Sequence, residues 1–134
     1  MTKKTAWAAG LGLLLASAPA GAHHSFAAEY DETKPVKVTG TVSKVEWKNP
    51  HIWFYVDVKD TGGKVTTWGF SGGPPGMLLR RGITKEVLKA GDVVTVSGFR
   101  AKDQSFNASG GTVVFAKDGK KVFTAGAEDT VPSN

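Results

Sequence analysis

No cysteine occurs anywhere in the 134 residues. That excludes a disulfide brace, a thiolate nucleophile and a thiolate metal ligand, so stability must come from packing. The chain also lacks an apolar run of the roughly 20 residues that a helix needs to cross a bilayer. A phosphate cradle is missing too. Ser71-Gly72-Gly73-Pro74-Pro75-Gly76 is glycine-rich, but its prolines lack the N–H donors of an anion nest and no Gly-Lys-Ser/Thr follows. It reads as a linker between strands. No nucleophile elbow appears, nor a carboxylate pair that spacing forces together, which points away from an enzyme. Charge is nearly balanced, with 17 Lys and Arg against 12 Asp and Glu spread along the chain, a poor footprint for nucleic acid. Asn107-Ala108-Ser109 fits a glycosylation sequon, a triplet that arises often by chance, and it is expected to stay unmodified.

What is present begins with a leader. Lys3 and Lys4 precede an apolar stretch from Ala6 to Ala18, then Pro19 and the small triplet Ala20-Gly21-Ala22. This is the three-part pattern of a cleaved secretory signal peptide, residues 1–22, and it predicts a periplasmic or secreted protein without stable membrane insertion. Cleavage is expected after Ala22, with Ala20 as the competing site. The mature chain then has 112 residues and a net charge of +3 in place of +5, enough for one domain and too few for two.

Residues 23–35 are polar and mixed in charge and read as an extended arm. A barrel domain over 36–124 and a flexible tail over 125–134 complete the expected layout. Val36, Val38, Gly40 and Val42 share one two-residue phase, and Val45 and Trp47 the other. A phase switch near Ser43-Lys44 predicts a bulge or sharp bend in a long first strand. Ile52, Phe54, Val56 and Val58 then alternate against His51, Trp53, Tyr55 and Asp57. Asp60-Thr61-Gly62-Gly63 should fold this strand onto Lys64–Phe70 as a hairpin. Thr84–Lys89 offers one or two helical turns, with Thr84 as N-cap and Gly91 as stop. Asp92–Arg100 is a fourth strand and Thr112–Ala116 a fifth, and Lys117-Asp118-Gly119 turns into Lys121–Phe123. A bent first strand, a hairpin, a small helix before strand four and a closing hairpin describe an all-β, OB-like five-stranded Greek-key barrel. A plain antiparallel sandwich is the competing architecture.

The segments His23-His24-Ser25-Phe26-Ala27-Ala28-Glu29-Tyr30-Asp31, Thr39-Gly40-Thr41-Val42, Val45-Glu46-Trp47, Asn49-Pro50-His51 and Leu88-Lys89-Ala90-Gly91-Asp92 resemble an exported bacterial family, DUF6152. The resemblance covers roughly residues 23–123. It implies no activity, because the family is one of unknown function. Members carry an acidic residue beyond the tryptophan matching Trp68 and a tryptophan after the glycine matching Gly82. This chain has Gly69-Phe70-Ser71-Gly72-Gly73 and Gly82-Ile83 there.

Two chemistries stand open. The first is metal binding by His23, His24 and His51. Cleavage after Ala22 would give His23 a free α-amine beside its imidazole, and nitrogen-rich sites of this kind favour Cu(II) among first-row divalent ions. The set resembles the histidine brace of copper proteins. A copper carrier, buffer or accessory is the expectation, and a small copper oxygenase would need an open coordination position besides. The structural alternative leaves His23 and His24 solvated and His51 at a strand end. The second chemistry is an OB-type module gripping a glycan, peptide, other small ligand or partner protein through Trp53, Tyr55 and Trp68, with no metal. Its structural alternative has those rings as cross-strand packing.

Overall fold

The computed structural model describes residues 26–124. Residues 26–29 are helical. Seven strands follow: β1 (Tyr30–Glu46), β2 (Trp53–Lys59), β3 (Val65–Ser71), β4 (Val93–Ala101), β5 (Asn107–Ser109), β6 (Thr112–Phe115) and β7 (Lys121–Thr124). One helix, α1 (Pro75–Arg80), lies between β3 and β4.

Five strands close a ring in the order β1-β2-β3-β5-β4 and back to β1, and β6 and β7 extend the sheet from β4. The β3–β5 pairing is parallel and the other ring pairings are antiparallel. A five-stranded ring with one helix between its third and fourth strands is the OB-like barrel that the element order predicts.

The bend in β1 sits where the phase switch places it. Its register with β2 shifts between Val42 and Lys44, so Ser43 is the extra residue of a bulge. Thr41 pairs with Val93 on one side and Asp57 on the other, which makes this the corner where β1 passes from β4 to β2. Gly40 is required there, since a Cβ would run into the Asp57 carbonyl. Residues 30–35, read from sequence as part of an arm, are the first stretch of β1 and carry a second irregularity between Tyr30 and Pro35.

Inward-facing residues alternate as the pattern requires. Phe54 pairs with Phe70, and their rings stack at 5.4 Å with Phe123 edge-on at 5.9 Å from Phe54. Val42, Val56, Val94, Val96 and Val113 complete a core excluded from solvent. Each such buried side chain contributes about 1.5–3 kcal/mol relative to exposure.

Two expectations are corrected. The helix is at Pro75–Arg80 rather than Thr84–Lys89. Pro74 is extended, Pro75 occupies the first turn where its missing N–H costs nothing, and Gly82 at φ 77° ends the helix. Ile83 N–H donates to Leu78 O and Gly82 N–H to Leu79 O, the paired bonds of a Schellman stop. The stretch around Thr84 forms only a turn, with Val87 N–H on Thr84 O. The second correction concerns ring closure. Thr112–Ala116 is the fifth strand expected from sequence, yet the segment joining β3 to β4 is Asn107–Ser109, and Thr112–Phe115 continues along β4 beyond Gly110-Gly111.

Candidate functional site

Leu78 of α1 is fully buried in the core, so the helix plugs the end of the barrel at which β3 finishes. The opposite end is open. A groove of about 450 Å³ lies there, lined by Lys34, Val36, Lys37, Val38, Trp68 and Arg100 among others.

Register explains why these side chains meet. Val36 pairs with Gly98 and Val38 with buried Val96, which turns both valines inward. Trp68 pairs with buried Val56, so it too belongs to the inner face. Arg100 pairs with buried Ala108, which places it on the same side. The mouth is therefore made by inward positions of three strands.

Arg100 is held in a fixed pose. Its Nε donates to Ser105 O at 3.1 Å and its Nη2 to Gln104 O at 2.5 Å, while Gln104 stands at φ 64° to present that carbonyl. The guanidinium carbon lies 5.8 Å from the Trp68 ring centre and 5.6 Å from that of Phe106. Those two rings meet edge to face at 5.3 Å, and Trp68 stacks on Phe70 below at 6.2 Å. The result is a cation boxed by two aromatic rings, one of which, Phe106, is 53% exposed. Two acids lie near: Asp103 accepts the Ser105 N–H at 2.9 Å, and Asp31 at the start of β1 accepts from Thr33 and lies 3.9 Å from Lys34. Hydrogen bonds from Ser105 and Thr33 hold these carboxyls below their ordinary range.

The three aromatics singled out in the sequence do not form one platform. Trp53 pairs with Ser71 and Tyr55 with Gly69, positions of the outer face, whereas Trp68 faces inward. Tyr55 serves the sheet. Its ring fills the space above Gly69, where a Cβ would come within 3.3 Å, its hydroxyl donates to Glu46 at 3.3 Å, and Lys44 Nζ lies 5.8 Å from its ring centre. Glu46 is gripped by Lys44 at 2.5 Å and Lys48 at 3.0 Å, which pushes its carboxyl down to about 2. Trp53 is half-buried opposite Glu46 on the same face.

His51 is half-buried just before β2, and the next residue ties this end to the β3 exit: Ile52 N–H donates to Gly73 O and Gly72 N–H to Ile52 O. His23 and His24 lie outside the described residues. Among the described residues no three histidine, aspartate or glutamate side chains converge to hold a metal. The start of the described chain packs on the outer face: Phe26 lies 5.1 Å from Tyr30 and 6.4 Å from Phe99, and Tyr30 Oη is 2.6 Å from Ser71 Oγ. Burial pushes the Tyr30 phenol above its ordinary value. No helix among the described residues is long and apolar enough to cross a membrane.

Sequence reading missed Arg100, Phe106, Lys34 and Lys37. The hairpin held a usable signal for part of this. Once Lys59 pairs with Val65 across the predicted turn, Val56 must face Trp68, and Trp68 goes inside. The alternation of Val94, Val96 and Gly98 continues to Arg100, whereas Phe106 offered no periodic signal, because the Lys102–Phe106 turn carries no strand pattern.

Compared with known proteins, the model of a family of unknown function, DUF6152, matches residues 10–111. No curated protein and no solved structure matches.

Proposed function

The chain belongs to the DUF6152 family of unknown function, and we propose from its own residues that it is an exported binding module whose ligand occupies the open barrel mouth. The observation that carries this is the box of Arg100, Trp68 and Phe106 around a groove. A cation pinned by two backbone carbonyls and two rings is pre-organised, so little side-chain freedom is lost when a ligand meets it. Pockets with a ring wall and a few fixed polar groups are the usual form of small-molecule sites.

Tryptophan fluorescence of the cleaved protein, read against a panel of glycans, peptides and small acids, tests this. The expected result is a response that Trp53→Phe keeps and Trp68→Phe loses. The reverse pattern would move the site to the outer face, and the absence of any response would remove the reading.

A second reading keeps copper binding by His23, His24 and His51. It draws support from Tyr30, whose hydroxyl reaches Ser71, the cross-strand partner of Trp53, at the sheet end that His51 begins. His24 is two residues from Phe26, a reach of at most about 7 Å. Calorimetric titration with Cu(II) should give tight binding that weakens in both His23→Ala and His51→Ala. Equal weak binding in all three proteins would end it. Export itself is tested by the intact mass of the periplasmic protein, expected to begin at His23.

A further inference from the structure

We propose that the ligand of the barrel mouth is a small, ring-bearing carboxylate, its carboxylate on Arg100 and its ring against Trp68. This rests on the reading of the mouth as the binding site and adds the chemical class. Three observations converge on it.

Charge comes first. Every ionisable residue lining the groove is basic, namely Lys34, Lys37 and Arg100. The nearby acids Asp31 and Asp103 do not line the groove and accept hydrogen bonds from Thr33 and Ser105. Lys34 is paired with Asp31 at 3.9 Å, while among the described residues Lys37 and Arg100 have no carboxylate in salt-bridge contact, so an anionic ligand is favoured over a cationic one.

Arg100 supplies the geometry. A guanidinium has five N–H donors, and two of them go to Ser105 O and Gln104 O. The remaining donors lie in a plane that these two bonds fix. A carboxylate accepts two parallel N–H bonds from such a fork, a match that neither a hydroxyl nor an amide reproduces. The Trp68 ring 5.8 Å away then offers an apolar wall to whatever carries the carboxylate.

Size sets the scale. A groove of about 450 Å³ has room for one ring with its substituents. The shared chemistry of a sugar acid and an aromatic acid is what the site recognises.

Calorimetry on the cleaved protein separates the two sources. The probes are galacturonate against galactose and benzoate against benzyl alcohol, with the Trp68 indole N–H followed by NMR. We expect at least one carboxylate to bind with a shift at Trp68, and its neutral counterpart to bind about tenfold more weakly or not at all. Arg100→Gln should weaken the carboxylate by about tenfold or more. Lys34→Gln with Lys37→Gln, at exposed positions that do not endanger folding, should weaken it by about two- to fourfold and reduce its salt dependence. Neutral and acidic probes binding equally at Trp68 would overturn the carboxylate assignment while leaving the mouth as a site. Carboxylates that fail to move Trp68 would overturn both.

Discussion

Ring closure makes its sharpest demand at Gly98, and alanine there should come close to unfolding the barrel. Gly98 faces inward on β4 opposite Val36, and β5 crosses directly over it. An added Cβ would collide with the Ser109 carbonyl, 2.8 Å from its carbon and overlapping its oxygen. The obstacle is backbone, so no rotamer change relieves it. β5 must move away, which strains its parallel pairing with β3 through Ser71 and Ser109 and withdraws Ser109 Oγ from the Phe99 N–H, 2.9 Å distant. Overpacking of this kind costs about 1–3 kcal/mol, and a stranded N–H in a half-buried place adds about 1–3 kcal/mol. The sum is about 4 kcal/mol, which for a domain of this size lowers Tm by about 15–20 °C. Gly119→Ala is the control: its φ of 70° disfavours alanine, but nothing lies within 4 Å of the new methyl. It should cost only about 1–2 kcal/mol. Thermal unfolding of the cleaved protein followed by circular dichroism decides. If Gly98→Ala melts within about 5 °C of the parent, β5 does not close the ring over β4 as described.

Three further outcomes follow from local geometry. Gly69→Ala brings a Cβ to 2.5 Å from Asn107 Oδ1 and 3.3 Å from the Tyr55 ring, both movable side chains, so urea denaturation should show a loss of only about 1–2 kcal/mol. Tyr30→Phe removes the hydroxyl from Ser71 and should cost about 1 kcal/mol by the same measurement. The buried phenol titrates above 10.0, so folding loses stability as pH rises past that value, and Tyr30→Phe should abolish this alkaline loss. Glu46 has its folded value depressed to about 2 from an ordinary 4.5. Its contribution is complete above the ordinary value and is lost as pH falls toward 2, so a pH series of melting curves should show Glu46→Gln converging on the parent in acid. Parallel curves across that window would contradict the Lys44–Glu46–Lys48 arrangement.

Much of the barrel was legible because its strands obey simple periods. Phe54, Val56 and Val58 could be assigned inward from alternation alone, and the β1 bulge from the slip between Val42 and Val45. Both hairpin turns announced themselves through Asp60-Thr61-Gly62-Gly63 and Lys117-Asp118-Gly119, where Gly63 and Gly119 do take positive φ. The helix was misplaced for a definite reason. Pro74-Pro75 looks like a breaker until one sees that proline suits the first helical turn, while Thr84 and Gly91 mimic a cap and a stop around a mere turn. β5 is three residues long, too short to show a period, and its pairing exists only because the tertiary ring closes there. The mouth was hidden by the same cause. Arg100 and Phe106 look ordinary in sequence, and only the Ala101–Phe106 turn brings their side chains against Trp68.

Which face of the barrel takes the ligand is the central question. An NMR titration of the cleaved, isotope-labelled protein with galacturonate and with benzoate answers that residue by residue. Binding at the mouth should give shifts concentrated at the Trp68 indole, the Arg100 Nε–H, Phe106 and Val36, with Trp53 and Tyr55 unmoved. Shifts confined to Trp53, Tyr55 and Ser71, with Trp68 silent, would contradict it.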